Sequence, residues 1–175
     1  MLETQAPPEL AGIAAFLNTL DRESGVDGVD TPAALKDWLI DQRLLAKTAR
    51  VTAADVGRAA ALREALRDAL RGSDVAAVNR ELRSWPLHIQ LTLDGGPVVA
   101  PLAAAGVDGA LGRLVAGIAT AEATGTWDRL KVCASDSCQW AFYDNSRNRS
   151  ARWCSMRVCG NRSKIRTYRS GQAAG

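Results

Sequence analysis

The sequence has only one histidine, His88, and no cysteine before Cys133. It shows no glycine-rich phosphate loop, no spaced carboxylate pair and no Ser/His/Asp arrangement, so nothing indicates an enzyme. The longest stretch without a charged residue, Gly95–Val107, is too short for a membrane span and contains Gly and Pro. The first ten residues lack the basic and apolar regions of a secretory signal. We therefore expect a cytoplasmic protein without a transmembrane helix.

The charges divide the chain into two parts. Residues 1–130 carry 13 Lys or Arg against 17 Asp or Glu, whereas residues 131–175 carry nine against two. The net charge is therefore −4 in the first part and +7 in the second. Apolar residues make up 47% of the 175 residues, which is enough for a packed core. We predict an N-terminal segment at residues 1–128 and a C-terminal segment at residues 129–175, each with its own core.

Apolar residues recur at helical spacing through most of the N-terminal segment. The first helix is expected from Ala11 to Leu20. Later helix starts are indicated by Thr31 before Pro32, by Thr52 with Asp55 three residues on, and by Ser73 as an N-cap. The helix after Ser73 must end near Pro86. A last helix is expected from Asp108 to the stop at Gly125.

One short stretch changes to a period of two. Leu87, Ile89, Leu91 and Leu93 alternate with polar residues, which is typical of a half-buried strand. Asp94-Gly95 then offers a hairpin turn into Val98-Val99. The expected fold class is mainly α with a small β-hairpin, followed by a C-terminal four-cysteine unit. His88 lies on the polar face of this strand and is interpreted as a surface residue.

Two polar positions in the N-terminal segment admit alternative interpretations. Asn18 lies in the otherwise apolar first helix, where a buried amide needs hydrogen-bond partners. It either bonds to a neighbouring loop or helix end, which we favour, or lines a small-ligand pocket together with Arg63. Arg63, Arg67 and Arg71 share one helix face, and that face is interpreted as solvated.

The four cysteines follow the pattern C-x4-C-x15-C-x4-C, formed by Cys133, Cys138, Cys154 and Cys159. Two thiolates on one tight turn supply one edge of a tetrahedron, and the second pair supplies the other. Disulfides are disfavoured without a secretory signal, ferredoxin-type cysteine spacing is absent, and so is C-x-x-C. The pattern favours a structural Zn site, and metal binding would stabilise a segment too short to fold alone. Four protein ligands leave no position for a catalytic water.

The C-terminal segment is rich in cations and aromatic residues. Candidate nucleic-acid contacts are Arg147, Arg149, Arg152, Arg157, Arg162, Lys164, Arg166 and Arg169. Arg162, Arg166 and Arg169 form one stripe on an expected helix from Met156 to Arg169. Such a cationic surface indicates nucleic-acid binding, although an acidic protein surface is an alternative partner. The aromatic residues Trp140, Phe142, Tyr143, Trp153 and Tyr168, helped by Val158 and Ile165, are expected to form a small core around the metal rather than to stack on bases.

The string SRNRSARWCSMRVCGNRSKIRTYR closely resembles the CGNR zinc-finger family, whose name-giving tetrapeptide is Cys159, Gly160, Asn161 and Arg162 here. The upstream C-x4-C, the Phe142–Asp144 element and the basic tail also match, and the resemblance spans about residues 129–170. FLNTLDRE, KDWL and LREAL are similar to the ABATE domain that accompanies this finger in bacteria, a stress-induced transcription regulator.

The resemblance implies a treble-clef-like finger with the four cysteines as metal ligands. It also implies a DNA-binding transcriptional role. Our first hypothesis is therefore a bacterial transcription regulator whose finger binds duplex DNA, while the helical domain senses a small-molecule effector or forms a homodimer. Arg162 could contact DNA or pair with Asp144, and Asn161 is expected to brace the cysteine turn. The alternative is a zinc-stabilised interaction module that recruits an acidic partner. RNA binding would be favoured if Trp140 or Trp153 proves exposed.

Overall fold

A computed structural model describes residues 6–93 and 95–172, without the side chains of residue 167 and residues 169–172. About half of the chain is helical, which confirms the mainly α class. The helices are α1 (Pro8–Leu17), α2 (Pro32–Asp41), α3 (Ala53–Arg71), α4 (Val75–Leu82), α5 (Gly106–Ala123) and α6 (Asn161–Gln172). A 3-10 turn at Trp127–Arg129 and a π-helical turn at Met156–Gly160 complete the helical elements. No helix within the described ranges is long and apolar enough to cross a membrane.

The strands form three separate antiparallel pairs. They are β1 (Leu20–Asp21) with β2 (Val26–Asp27), β3 (Leu87–Thr92) with β4 (Gly96–Pro101), and β5 (Leu130–Val132) with β6 (Ala141–Tyr143). Only the second pair is predicted by the alternating pattern. The other two pairs are two or three residues long, too short for a period of two to be read from the sequence.

Capping side chains fix the starts of three helices. Thr31 accepts a hydrogen bond from the backbone N–H of Ala34, and Thr52 forms a full capping box with Asp55, both as expected. The third cap differs from the prediction, because Asp74 rather than Ser73 caps α4. The first helix also ends earlier than expected: Asn18 is its C-cap, and Leu20 already belongs to β1.

One hydrophobic core joins the two segments of the chain. Leu130 of β5 and Ala141 of β6 are buried in the same cluster as Leu10, Leu66 and other residues of α1, α3 and α5. The expectation of two separate cores is therefore wrong. The β5–β6 pair packs on the helical domain, with β5 against α3 and β6 against α1.

Two exposed regions depart from the sequence expectations. The β3–β4 hairpin is almost entirely solvent-exposed instead of half-buried. Val158 and Ile165, expected in a small core around the metal, are 41% and 52% exposed. In both places the apolar spacing is present, but most of the apolar side chains stay exposed, although β4 itself lies against α5.

Candidate metal centre and basic surface

The four cysteine sulfurs come together at one point. The ligand atoms of Cys133, Cys138, Cys154 and Cys159 all lie within 4.8 Å of one another. The Sγ of Cys154 is 3.7 Å from that of Cys138 and 3.8 Å from that of Cys159. Cys133 and Cys159 are buried, while Cys138 and Cys154 are half-buried. The cluster is thus closed on one side and close to solvent on the other.

Two local structures carry the cysteines. Cys133 follows β5 and Cys138 precedes β6, and the N–H of Cys133 bonds to the carbonyl of Trp140 to close the turn. Cys159 lies in the π-helical turn, whose start is capped by the Ser155 hydroxyl. The Asn161 side chain donates to the carbonyl of Arg157 and braces this turn. Metal-binding cysteines in zinc sites are commonly carried on tight turns of this kind.

The surroundings shift the pKa values of the cysteine thiols in different directions. Burial acts to raise the pKa of Cys133, but hydrogen bonds from the backbone N–H groups of Cys154 and Ser135 hold it below its ordinary value. Burial raises the pKa of Cys159 to about 11, and burial together with the neighbouring thiols raises the pKa of Cys154 strongly. Several thiolates this close together need a compensating cation, which a divalent metal would supply.

The sulfur geometry fits a tetrahedral metal with four thiolate ligands. With Zn–S bonds of about 2.3 Å, the sulfurs of a regular tetrahedron lie about 3.8 Å apart. The distances of 3.7 and 3.8 Å around Cys154 match this value. All four positions would be filled by protein, so the site suits a structural metal.

Asp144 is a buried charge that holds the loop between β6 and Cys154. Its carboxylate accepts hydrogen bonds from the ammonium of Lys131 at 2.6 Å and from the N–H groups of Ser146 and Ala151 at 2.9 Å each. Burial opposes the charged form, but these donors hold the pKa of Asp144 well below its usual range. The predicted pairing of Arg162 with Asp144 is wrong, because Lys131 occupies that role.

The predicted cations are exposed around this centre. The solvent-exposed cations of this segment are Arg147, Arg149, Arg152, Arg157, Arg162, Lys164 and Arg166. Arg169 belongs to α6, but its side chain lies outside the described residues. The backbone of α6 nevertheless carries positions 162, 166 and 169 on one helix face, as predicted. The structure thus gives an exposed basic loop and an exposed basic helix next to the cysteine cluster.

Three of these cations already have a partner within the chain. Arg162 forms an ion pair of 2.5 Å with Glu23 in the turn between β1 and β2, which raises the pKa of Arg162. Arg149 lies 3.9 Å from Asp128, and the guanidinium of Arg152 stacks over the ring of Trp153 at 5.6 Å. Within the described residues, Arg147, Arg157, Lys164 and Arg166 form no ion pair. These four have no ion pair within the described residues to break before they contact an anionic partner.

Asn18 and Arg63 have structural partners instead of a common pocket. The Asn18 side chain exchanges two hydrogen bonds with the backbone of Ala141, and the terminal nitrogens of Arg63 bind Asp27 and Thr19. These bonds favour a structural role for both residues over the predicted ligand pocket.

Arg67 shows that the predicted solvated arginine face is also wrong. Its side chain is 1% exposed, and it donates to the carbonyls of Leu17 and Gln139. The sequence carries no signal for this role, because both acceptors are backbone atoms at least 50 positions away.

A cavity of about 570 Å³ lies where the two segments meet. It is lined by the last turn of α3, by β5, by Cys133 and Ala134, and by Ala151 and Arg152 of the basic loop. Trp127 supplies an aromatic wall, and Arg71 and Arg152 supply positive charge. This volume is in the range of small-molecule sites.

The fold and the cysteine geometry define a four-cysteine zinc-finger protein with a helical N-terminal domain. Comparison with known families agrees: residues 129–172 match the CGNR zinc finger. Residues 13–126 match the ABATE family, described as "Putative stress-induced transcription regulator". The chain belongs to the ABATE family and carries a CGNR zinc finger, in the order that the sequence resemblance implies. No curated protein matches the chain.

Proposed function

We propose that the chain is a bacterial transcription regulator whose zinc finger binds duplex DNA. The observation that carries the proposal is the set of exposed cations beside the cysteine cluster, on the loop before Cys154 and on α6. The rest of the chain, residues 1–130, is net negative, so the cationic surface is local rather than general. A compact basic surface on a small metal-held unit suits the DNA backbone.

In this proposal Cys133, Cys138, Cys154 and Cys159 hold one Zn²⁺. The metal supplies the stability that the short β5–β6 pair and the loops around it lack. It fixes the loop at residues 145–153 and the start of α6 relative to each other, because Cys154 and Cys159 lie at their junction. The role is binding and not catalysis, since four thiolates leave no coordination position open.

The accessible cations are suited mainly to phosphate contacts. Long, exposed Lys and Arg side chains neutralise phosphates and set affinity, whereas sequence is read at base edges. Arg147, Arg157, Lys164 and Arg166 have no ion-pair partner within the described residues and form the expected minimum set. About four phosphate contacts predict that log K falls against log salt with a slope of about −4.

The test compares binding of the zinc-loaded protein to duplex DNA over a series of salt concentrations. The double variant Lys164→Ala/Arg166→Ala removes two exposed charges of α6 and is expected to flatten the slope by about 2. The matched control is Arg80→Ala/Arg83→Ala, which removes two exposed charges near the end of α4. Both variants must keep one Zn per chain, because none of these residues is a ligand.

The outcomes separate the candidate functions. A flatter slope in the α6 variant, with the wild-type slope in the α4 control, supports the proposal. Equal effects of both variants would mean that the DNA is attracted non-specifically to any exposed cation of the protein. A wild-type protein that binds no nucleic acid at low salt would favour the alternative, a zinc-stabilised module that recruits an acidic protein.

Exposure of Trp140 favours RNA or single strands as a second candidate. Its side chain is 40% exposed beside the zinc turn, where an unstacked base could lie against the ring. Trp140→Ala is then expected to weaken binding to single-stranded RNA by about 1–3 kcal/mol and to leave duplex DNA binding unchanged. Equal effects on both ligands would argue that Trp140 has only a structural role.

The proposal gives the helical domain the role of sensor or dimerisation unit. The cavity beside Trp127 is the candidate effector site, because Arg152 contributes both to its lining and to the basic loop. A ligand there that contacts Arg152 would alter the basic surface directly. The proposed role belongs in the bacterial cytoplasm, where cysteine thiols remain reduced and available to zinc.

A further inference from the structure

The β3–β4 hairpin projects its apolar residues into solvent. Ile89 is 73% exposed, Leu91 is 79% exposed and Leu93 is fully exposed. Ile89 and Leu91 belong to β3, and Leu93 directly follows it and continues the same alternating apolar series, a pattern typical of a surface that is covered. A two-stranded hairpin is at best marginally stable by itself, and this one is held to the described chain by β4, which lies against α5, while Ile89, Leu91 and Leu93 stay uncovered.

The register shows which backbone groups point away from the hairpin. The N–H of Leu102 bonds to the carbonyl of Pro86 at 2.8 Å, and Leu87 lies opposite Pro101. Because bonded and non-bonded pairs alternate in an antiparallel ladder, the outward-facing groups of β3 belong to Leu87, Ile89 and Leu91. On β4 the outward-facing positions are Pro97, Val99 and Pro101.

The two edges of the hairpin are therefore unlike. Two of the three outward positions on β4 are prolines, which have no N–H, and β4 also lies against α5. The β3 edge offers all three donors and all three acceptors. β3 lacks the proline and the charged side chains that usually protect an edge strand. Ile89 and Leu91 are exposed, and Leu87 is half-buried against the common core.

We propose that β3 pairs with β3 of a second copy of this chain, antiparallel, about a two-fold axis at Ile89. Ile89 then lies opposite Ile89 of the second copy, and Leu87 lies opposite Leu91. All outward-facing N–H and C=O groups of both strands find partners within the pair. The result is a four-stranded sheet in which the exposed end of each hairpin lies beside the base of the other.

The strand is suited to a copy of itself. A two-fold axis brings identical side chains together, so any charge near it would meet its like. Between Arg83 and Asp108 the sequence contains one charged residue, Asp94, and none within β3. On the opposite face, His88 lies beside Gln90 of the second copy, two side chains that can hydrogen-bond.

This inference specifies the dimerisation part of the proposed function but does not depend on nucleic-acid binding. The dimerisation proposal is tested by the oligomeric state of the protein without DNA. A failure of dimerisation can therefore be distinguished from a failure of DNA binding. The experiment uses the full zinc-loaded chain in sedimentation velocity over a series of protein concentrations. The wild type is expected to change from monomer to dimer as the concentration rises.

A matched pair of proline variants tests which edge is used. Ile89→Pro removes the N–H at the two-fold axis, whereas Val99→Pro removes the outward N–H at the facing position on β4. Neither change breaks a hydrogen bond within the hairpin. Ile89→Pro is expected to weaken dimerisation about tenfold or more, because two intermolecular hydrogen bonds are lost. Val99→Pro should dimerise like the wild type.

Charge complementation keeps the test decisive if the proline variant fails to fold. Ile89→Lys and Ile89→Glu should each remain monomeric, because like charges meet at the axis. An equimolar mixture of the two should form a heterodimer, which only pairing of position 89 with itself predicts. The proposal is overturned by a wild type that stays monomeric at every concentration, or by single charged variants that dimerise like the wild type.

Discussion

Asn18 and Ala141 exchange two hydrogen bonds, with the amide nitrogen 2.9 Å from the carbonyl of Ala141 and the amide oxygen 2.7 Å from its N–H. The pair joins the end of α1 to strand β6 of the zinc finger across 123 positions of sequence. Ala141 is also buried in the common core. The finger is thus fastened to the helical domain by hydrogen bonds between the Asn18 side chain and the Ala141 backbone, as well as by apolar packing.

The first prediction concerns this pair. Asn18→Ala leaves the buried N–H and carbonyl of Ala141 without their partner, which is expected to lower the free energy of unfolding by about 1–3 kcal/mol. The measurement is chemical denaturation of the zinc-loaded protein. The control Asn79→Ala, at an exposed position of α4, should change the free energy by less than about 0.5 kcal/mol. Similar losses in both variants would contradict a joining role for Asn18.

The second prediction is a pH dependence that comes from Asp144. Its folded-state pKa lies below the ordinary value of 3.8, so its contribution is present at neutral pH and is lost as pH falls below that value. Asp144→Asn is expected to cost about 3 kcal/mol at pH 7, because Lys131 loses its buried partner. The difference in unfolding free energy between wild type and variant should shrink between about pH 4 and pH 2.

The control for Asp144 is Asp30→Asn, an exposed carboxylate in the loop before α2. It should unfold like the wild type at every pH. If the difference in unfolding free energy between the wild type and Asp144→Asn stays constant as pH falls, the variant acts through altered packing and not through the lost charge.

The third prediction is that metal loss reaches the helical domain. The protein is expected to carry one Zn per chain, measured by elemental analysis, and Cys154→Ser should lose it. Because Leu130 and Ala141 belong to the common core, hydrogen exchange should then accelerate in α1 and α3 as well as in residues 129–172. Unchanged protection of α1 and α3 in the variant would mean that the two parts fold independently.

The fourth prediction concerns the ion pair between Glu23 and Arg162. Glu23→Gln frees the guanidinium for a phosphate, so DNA affinity should rise and the salt slope should steepen by about 0.9. The control Glu122→Gln makes the same charge change at an exposed position of α5. Equal gains in both variants would reflect net charge alone, and no gain in either would mean that Arg162 does not meet a phosphate.

Local signals in the sequence predicted much of the structure. The caps at Thr31 and Thr52 and the β3–β4 pairing depend on residues a few positions apart, and all of them are present. The basic helix is present too, but α6 begins at Asn161, after a π-helical turn at Met156–Gly160. The cysteine spacing predicted the metal centre for the same reason, because each pair closes a short turn. The failures at Ser73 and Leu20 are boundary errors of a few residues, where neighbouring side chains compete for one role.

What the sequence by itself determined is the set of elements, the four cysteines and the uneven distribution of charge. Only the tertiary structure decided which side chains those elements cover. Arg67 is buried because Leu17 and Gln139 bring backbone carbonyls to its guanidinium, and Asp144 pairs with Lys131 because β5 and β6 lie side by side. Helical and strand periods mark the face that should be covered, but burial depends on contacts between distant parts of the chain. The same physics leaves Ile89 and Leu91 of β3 exposed: their apolar pattern is local, and no distant part of the described chain covers these side chains.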